Sequence, residues 1–246
     1  MAGRLTTRLD RFALREPFTI SRGTRTHAEV VAVEIERGGV RGIGECLPYA
    51  RYGETHESVR SQIEGLPGDI NREDMGEALP AGAARNAVDC ALWDLEAKTQ
   101  GRPIHDLLGL PAPKPVTSAF TLSLDTPEAM QASAARHKDK PLLKIKLGGP
   151  GDMARLEAVR AGAPKARLIL DANEGWTPEV YSDLAPHLLN VGVEMVEQPL
   201  PAGADDMLSE IARPLPVCAD EACHDRASLP GLKGKYDMVN IKLDKT

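Results

Sequence analysis

The second half of the chain repeats one arrangement: a short apolar run that ends in a charged residue, followed by a helical stretch. The runs are VTSAFTLSL, LLKIKLG, ARLILDAN, GVEMVEQPL, LPVCADE and YDMVNIKLD. Lys146, Asp171, Glu197, Asp220 and Lys242 recur in the last five at intervals of 25, 26, 23 and 22 residues. Strands alternating with helices predict parallel βαβ units. Two of the intervening helices carry clear start signals, because DTPEAM and WTPEVY each set Thr as N-cap before Pro at the first helical position. The repeat is a little shorter than the roughly 30 residues per unit of a (β/α)8 barrel, so it predicts a compact barrel-type domain. An open doubly wound sheet is the alternative, but no glycine-rich fingerprint follows the first strand to support it. Six strands cannot close an eight-stranded barrel. The expectation is therefore a TIM-like barrel truncated after its sixth strand.

The first half has another rhythm. In VVAVEIERGGVRGIGEC, Val31, Val33 and Ile35 alternate with Ala32, Glu34 and Glu36, then Gly38-Gly39 turns the chain, as in a hairpin. Helical segments follow at HESVRSQIEGL and AGAARNAVDCALWDLEAKTQG. In the second, Ala84, Val88, Ala91, Leu92 and Leu95 form an apolar stripe and Gly101 is placed to end the helix. The proline-rich LGLPAPKPVTS reads as a junction. The predicted fold is α/β: an α+β capping domain over residues 1–110, then the partial barrel over 115–246.

Composition narrows the function. A net charge of -6 gives no general attraction to nucleic acid or to an anionic membrane. The N-terminal MAGRLTTRLDRFALREPF reads as neither a signal peptide nor a membrane span. Cys46, Cys90, Cys218 and Cys223 lack CxxC spacing and read as reduced thiols of a cytoplasmic protein, and His224 reads as a loop residue rather than a ligand.

In a barrel the C-terminal strand ends converge on one mouth, where catalytic groups gather. There Asp171, Glu197 and Asp220 would meet, flanked by lysines. Converging carboxylates repel one another, and a divalent cation relieves this; an all-oxygen set with room for water and substrate favours Mg²⁺ over zinc. A carbon acid beside a carboxylate loses its proton only if the developing charge is stabilised, which bound Mg²⁺ can do. Alternation in LLKIKLGG sets Lys144 and Lys146 on one strand face and Leu143, Ile145 and Leu147 on the other. A neighbouring ammonium makes a lysine give up its proton more readily, so Lys144 is expected to help Lys146 act as a base. Lys242, four strands along, would work from the opposite side, and Asn240 shares its strand face. Proton removal from one side and return from the other inverts a stereocentre by 1,1-proton transfer. Asn173 and Glu221, next to the ligands, are candidate supporting residues, as is Gln198.

The stretches KIK, DANEGW, VEQPL, ADE and NIKLDK, in this order, resemble the muconate lactonizing enzyme subgroup of the enolase superfamily. The N-terminal text, with PFTISRGTRTHAEVV and GECLPYARYGETHESV, is similar to dipeptide epimerases acting on L-Ala-D/L-Glu. The resemblance implies Lys146 and Lys242 as acid/base pair and Asp171, Glu197 and Asp220 as Mg²⁺ ligands, a pairing of base and metal typical of that superfamily. It also implies substrate contact by Thr121 and capping loops over 21–25 and 49–53, which include Tyr49. From these, Arg22 or Arg25 would grip the substrate's side-chain carboxylate. The implied partner is a small dipeptide, with self-association left open, and the implied setting is reuse of cell-wall peptides. Sibling activities on the same site are o-succinylbenzoate synthase, N-acylamino acid racemase and muconate-type cycloisomerase. Outside this class stand a non-catalytic truncated barrel fragment and a Schiff-base aldolase, against which the carboxylate trio argues.

Overall fold

The computed structural model describes residues 3–245, which divide into two compact units. Of the described residues, unit 1 contains 3–13, 27–115 and 242–245, and unit 2 contains 14–26 and 116–241.

Unit 1 holds an antiparallel sheet of three strands in the order β1 (Arg4–Ile20), β2 (Gly23–Arg37) and β3 (Val40–Cys46). The tip of the β1–β2 hairpin, 14–26, belongs to unit 2. Arg37 pairs with Val40 across Gly38 and Gly39, whose φ of 57° and 80° are the left-handed values a two-residue hairpin turn needs. Four helices follow: α1 (His56–Glu64), α2 (Arg72–Ala78), α3 (Ala83–Gln100) and α4 (Ile104–Leu107). Thr55 and Ser58 form a capping box on α1, Asn71 caps α2, and Gly101 ends α3 at φ 64°. Val31, Val33 and Ile35 of β2 pack with Ala84, Ala87, Val88, Ala91 and Leu95 of α3 in one core. The predicted stripe on α3 is buried as expected.

Alternate glycines of β3 let α3 approach. A Cβ on Gly42 would lie 2.1 Å from the Ala91 carbonyl oxygen, and one on Gly44 would lie 2.0 Å from that of Ala87. Both obstacles are helix backbone, which cannot turn aside like a side chain.

Unit 2 contains β4 (Phe120–Leu122), α5 (Pro127–Arg136), β5 (Leu142–Lys146), α6 (Asp152–Gly162), β6 (Arg167–Asp171), α7 (Pro178–Asn190), β7 (Val193–Glu197), β8 (Val217–Ala219), α8 (Leu229–Leu232) and β9 (Met238–Val239). Thr126 and Thr177 cap α5 and α7 as predicted, each with Pro in the first turn. The six strands are parallel and lie in chain order from β4 to β9. Order without reversal is that of a barrel wall, whereas a doubly wound sheet reverses at a switch point. One strand face supplies Leu143, Ile145, Leu168, Leu170, Val196 and Val217 to a core completed by Met130, Leu156, Val159, Tyr181 and Leu188 from the helices. The other face carries Lys144, Lys146, Asp171 and Glu197 at or near the strand ends, together with Ile169, Met195 and Cys218.

Strand lengths differ from the sequence reading. The first strand covers only Phe120–Leu122 of VTSAFTLSL, and the last only Met238–Val239 of YDMVNIKLD. β4 and β9 are the edges of this sheet, each paired on one side, so little ladder holds them extended. Lys242 therefore does not sit on the last strand as expected: it follows β9 by three residues and belongs to unit 1.

The substitution Gly44→Ala should force β3 and α3 apart and cost about 1–3 kcal/mol, read as a lower denaturation midpoint. An unchanged midpoint would show that the strand and helix are not held at this separation.

Candidate active site

Four successive strands deliver the charged groups. Lys146 ends β5, Asp171 ends β6, Glu197 ends β7, and Asp220 follows β8. Parallel register puts Lys146 beside Asp171 and Asp171 beside Glu197. All four are buried, Asp171 completely. One carboxylate oxygen from each of Asp171, Glu197 and Asp220 lies within 4.8 Å of the others.

Two ammonium groups reach into this cluster. Lys144 Nζ lies 2.8 Å from Asp171 Oδ2 and 2.7 Å from Glu197 Oε2. Lys146 Nζ donates to the same Asp171 Oδ2 at 2.6 Å and to Asn173 Oδ1 at 2.8 Å. Burial would raise the Asp171 carboxyl, but Lys146 and Lys144 outweigh it and hold the group below the usual carboxylate range. Burial and the charge of Asp171 push Glu197 up to about 7, only partly offset by Lys144. Burial opposes the charge on Lys144, yet Asp171 and Glu197 win and raise it above the ordinary lysine range. The sequence reading has Lys144 help Lys146 act as a base; in the structure its ammonium also lies between two carboxylates, the position of a counter-ion.

The neighbouring residues are tied in. Asn173 Nδ2 donates to Glu221 Oε1 at 3.3 Å, and the Asn173 amide donates to Asp171 Oδ1 at 2.9 Å. Asn240 Nδ2 donates to Glu197 Oε1 at 3.0 Å. Arg22, on the hairpin tip, donates to the Asn173 carbonyl at 2.9 Å, to Glu174 Oε2 at 3.2 Å and to Glu221 Oε1 at 2.9 Å. Its guanidinium is engaged by two carboxylates of the protein. Arg25 is exposed on β2. Thr121 pairs in register with Lys144. Tyr49 belongs to unit 1, where its ring meets that of Tyr52 edge-on at 6.3 Å.

Asn173, Glu174 and Gln198, at φ 46°, 67° and 37°, are the non-glycine residues with left-handed backbone among those described. All three lie within about three residues of the ends of β6 and β7, the strands that carry Asp171 and Glu197. Such conformations persist only where surrounding contacts impose them, and they gather at functional sites. The sequence reading missed two further buried acids. Asp152 accepts from the amides of Gly148 and Gly149, both at 2.9 Å, and from Trp176 Nε1 at 2.8 Å. Asp205 is 1% exposed and bonds Tyr236 and Lys235. Neither lies in a motif, and only burial reveals them.

Three buried carboxylates with no nitrogen or sulfur donor among them fit a hard divalent cation such as Mg²⁺. The two ammonium groups drawn to their oxygens supply positive charge to this cluster.

Comparison with known proteins identifies the family. Residues 3–109 match the N-terminal domain of the mandelate racemase / muconate lactonizing enzyme family, and residues 128–246 match the enolase C-terminal domain-like model. The chain belongs to this family of the enolase superfamily. The L-Ala-D/L-Glu epimerase of Escherichia coli is 48% identical over 239 residues, which cover 95% of this chain and 74% of that protein. An enolase family member from Agrobacterium tumefaciens with homology to dipeptide epimerases, solved with sodium and L-Ala-L-Glu, superposes with a TM-score of 0.95 at 48% identity. The match covers 99% of this chain and 76% of that one. A dipeptide epimerase from Cytophaga hutchinsonii, solved with Mg and D-Ala-L-Val, gives 0.89 at 29% identity over 100% of this chain and 73% of its own.

Replacing Lys144 by Met should leave Asp171 and Glu197 short of positive charge. In a chelating buffer the loss should be about 3–5 kcal/mol, measured by denaturant unfolding, and added Mg²⁺ should restore part of it. Equal stability of the variant and the unsubstituted protein would remove Lys144 from the counter-ion role.

Proposed function

We propose that this chain epimerises dipeptides of the L-Ala-D/L-Glu type, removing the α-proton of the glutamyl residue from one face and returning a proton to the other. The observation that carries the reading is the placement of Lys146 Nζ 2.6 Å from Asp171 Oδ2, beside a trio of carboxylates within 4.8 Å of one another. Its similarity to proteins named as dipeptide epimerases supports the choice of substrate.

Asp171, Glu197 and Asp220 would hold Mg²⁺, which supplies positive charge to a substrate carboxylate and so makes the adjacent α-carbon more acidic. Lys146, in its neutral form, takes the α-proton; as an ammonium it returns one. Asn173 Oδ1 and Asp171 Oδ2 fix its nitrogen from two directions, which orients the remaining N–H or lone pair. Lys144 balances the carboxylates. Inversion requires a second acid on the other face of the α-carbon, the role we assign to Lys242. Asn240 and Glu221 support the site through Glu197 and Asn173. Thr121, Tyr49 and either Arg22 or Arg25 are assigned to substrate contact, an arginine pairing with the side-chain carboxylate. Arg22 would have to exchange one of its present carboxylate partners to do so. We place the reaction in the cytoplasm, in the reuse of cell-wall peptides.

The test is hydrogen exchange. With L-Ala-L-Glu and Mg²⁺ in D₂O, deuterium should appear at the glutamyl α-carbon and the D-Glu epimer should accumulate. Lys146→Ala should stop exchange from one epimer and Lys242→Ala from the other, each by at least about 10²-fold. Metal-bound, folded protein that exchanges neither epimer would end this reading.

A further inference from the structure

Gln198 directly follows Glu197, is fully buried and has a left-handed φ of 37°. That backbone turn directs its main-chain carbonyl to the Glu174 amide beyond β6, at 2.9 Å. The ladder toward β8 therefore needs another acceptor. The side chain supplies it: Gln198 Oε1 accepts from the amides of Asp220 and Ala222, both at 2.9 Å. One residue thus ties together the chain at the ends of β6, β7 and β8, where Asp171, Glu197 and Asp220 stand.

The amide of Gln198 works only one way round. Reversed, its NH₂ would face two backbone N–H donors. Nε2 donates to the Leu200 carbonyl and to the Tyr236 hydroxyl, each at 2.8 Å. Tyr236 in turn donates to Asp205 Oδ2 at 2.6 Å, while Asp205 Oδ1 takes Lys235 Nζ at 2.6 Å. An ionised carboxylate only accepts. Asp205 therefore claims the phenolic proton, which leaves the Tyr236 oxygen to accept from Gln198 and fixes the amide. Burial and Asp205 both hold the phenol well above its ordinary range, so the donor keeps its proton.

We propose that Asp205 and Tyr236 are positioning residues for the cation site, acting through Gln198 to set the spacing of the Asp171, Glu197 and Asp220 carboxylates. The proposal rests on the reading of that trio as a Mg²⁺ site. Partners one step removed from metal ligands typically change metal affinity by roughly 10–100-fold when altered.

The test compares Tyr236→Phe with the unsubstituted protein by calorimetric Mg²⁺ titration and, in metal-free buffer, by amide hydrogen exchange. Tyr181→Phe is the matched control, because the buried Tyr181 hydroxyl has no hydrogen-bond partner among the described residues. Tyr236→Phe should weaken Mg²⁺ binding roughly 10–100-fold and speed exchange at Asp220 and Ala222, while Tyr181→Phe changes neither. Unaltered affinity or unaltered exchange in Tyr236→Phe overturns the proposal, and so does an equal effect of Tyr181→Phe. If Tyr236→Phe does not fold, Asp205→Asn, which keeps the shape, is read by the same two measurements and the same outcomes. Absence of Mg²⁺ binding by the unsubstituted protein overturns the cation reading itself, a failure seen before any substitution is made.

Discussion

Bringing Asp171, Glu197 and Asp220 together out of water is unfavourable until positive charge stands among them. Much else in unit 2 follows from that requirement. Lys144 and Lys146 leave an otherwise apolar strand to meet Asp171 Oδ2, and Asn240 adds a neutral donor to Glu197. Burial raises both carboxyls; the two ammonium groups against Asp171 outweigh it there, whereas Glu197, with one ammonium contact and the charge of Asp171 beside it, is pushed up. A divalent cation would complete what the lysines begin.

The backbone carries a cost for the same arrangement. Asn173, Glu174 and Gln198 take left-handed conformations that side chains disfavour. In return, their turns point peptide groups across the strand ends: the Glu174 amide to the Gln198 carbonyl, and the Asn173 amide back to Asp171 Oδ1. Arg22 then covers this turn by binding the Asn173 carbonyl, Glu174 and Glu221. Strain, charge and loop are thus concentrated on a few residues just past β6 and β7, on a wall whose opposite face is a close-packed apolar core.

How much of this was readable in advance depends on whether a residue's role is local. The ligand strands, the Thr caps, the Gly38-Gly39 turn and the end of α3 at Gly101 follow from alternation, capping and backbone preference over a few residues. The trio was visible because each acid ends an apolar run. Strand length at the sheet edges was not, since it depends on partners rather than on sequence, and this removed Lys242 from β9. Two-carboxylate pairing of Lys144 was also hidden: alternation gives its face but not what lies 2.7 Å away. Asp205 and Tyr236 are separated by a βα unit's length of chain and match no motif, so only the folded wall brings them to Gln198.

The most direct test of the charge argument is to locate a cation. Crystals grown with Mn²⁺, a hard ion that also prefers oxygen ligands, should show one strong anomalous peak. It should lie about 2.0–2.3 Å from an oxygen of each of Asp171, Glu197 and Asp220, with Lys144 Nζ displaced from at least one of them. A peak elsewhere, or ammonium contacts left intact with no ion among the three acids, would contradict the account.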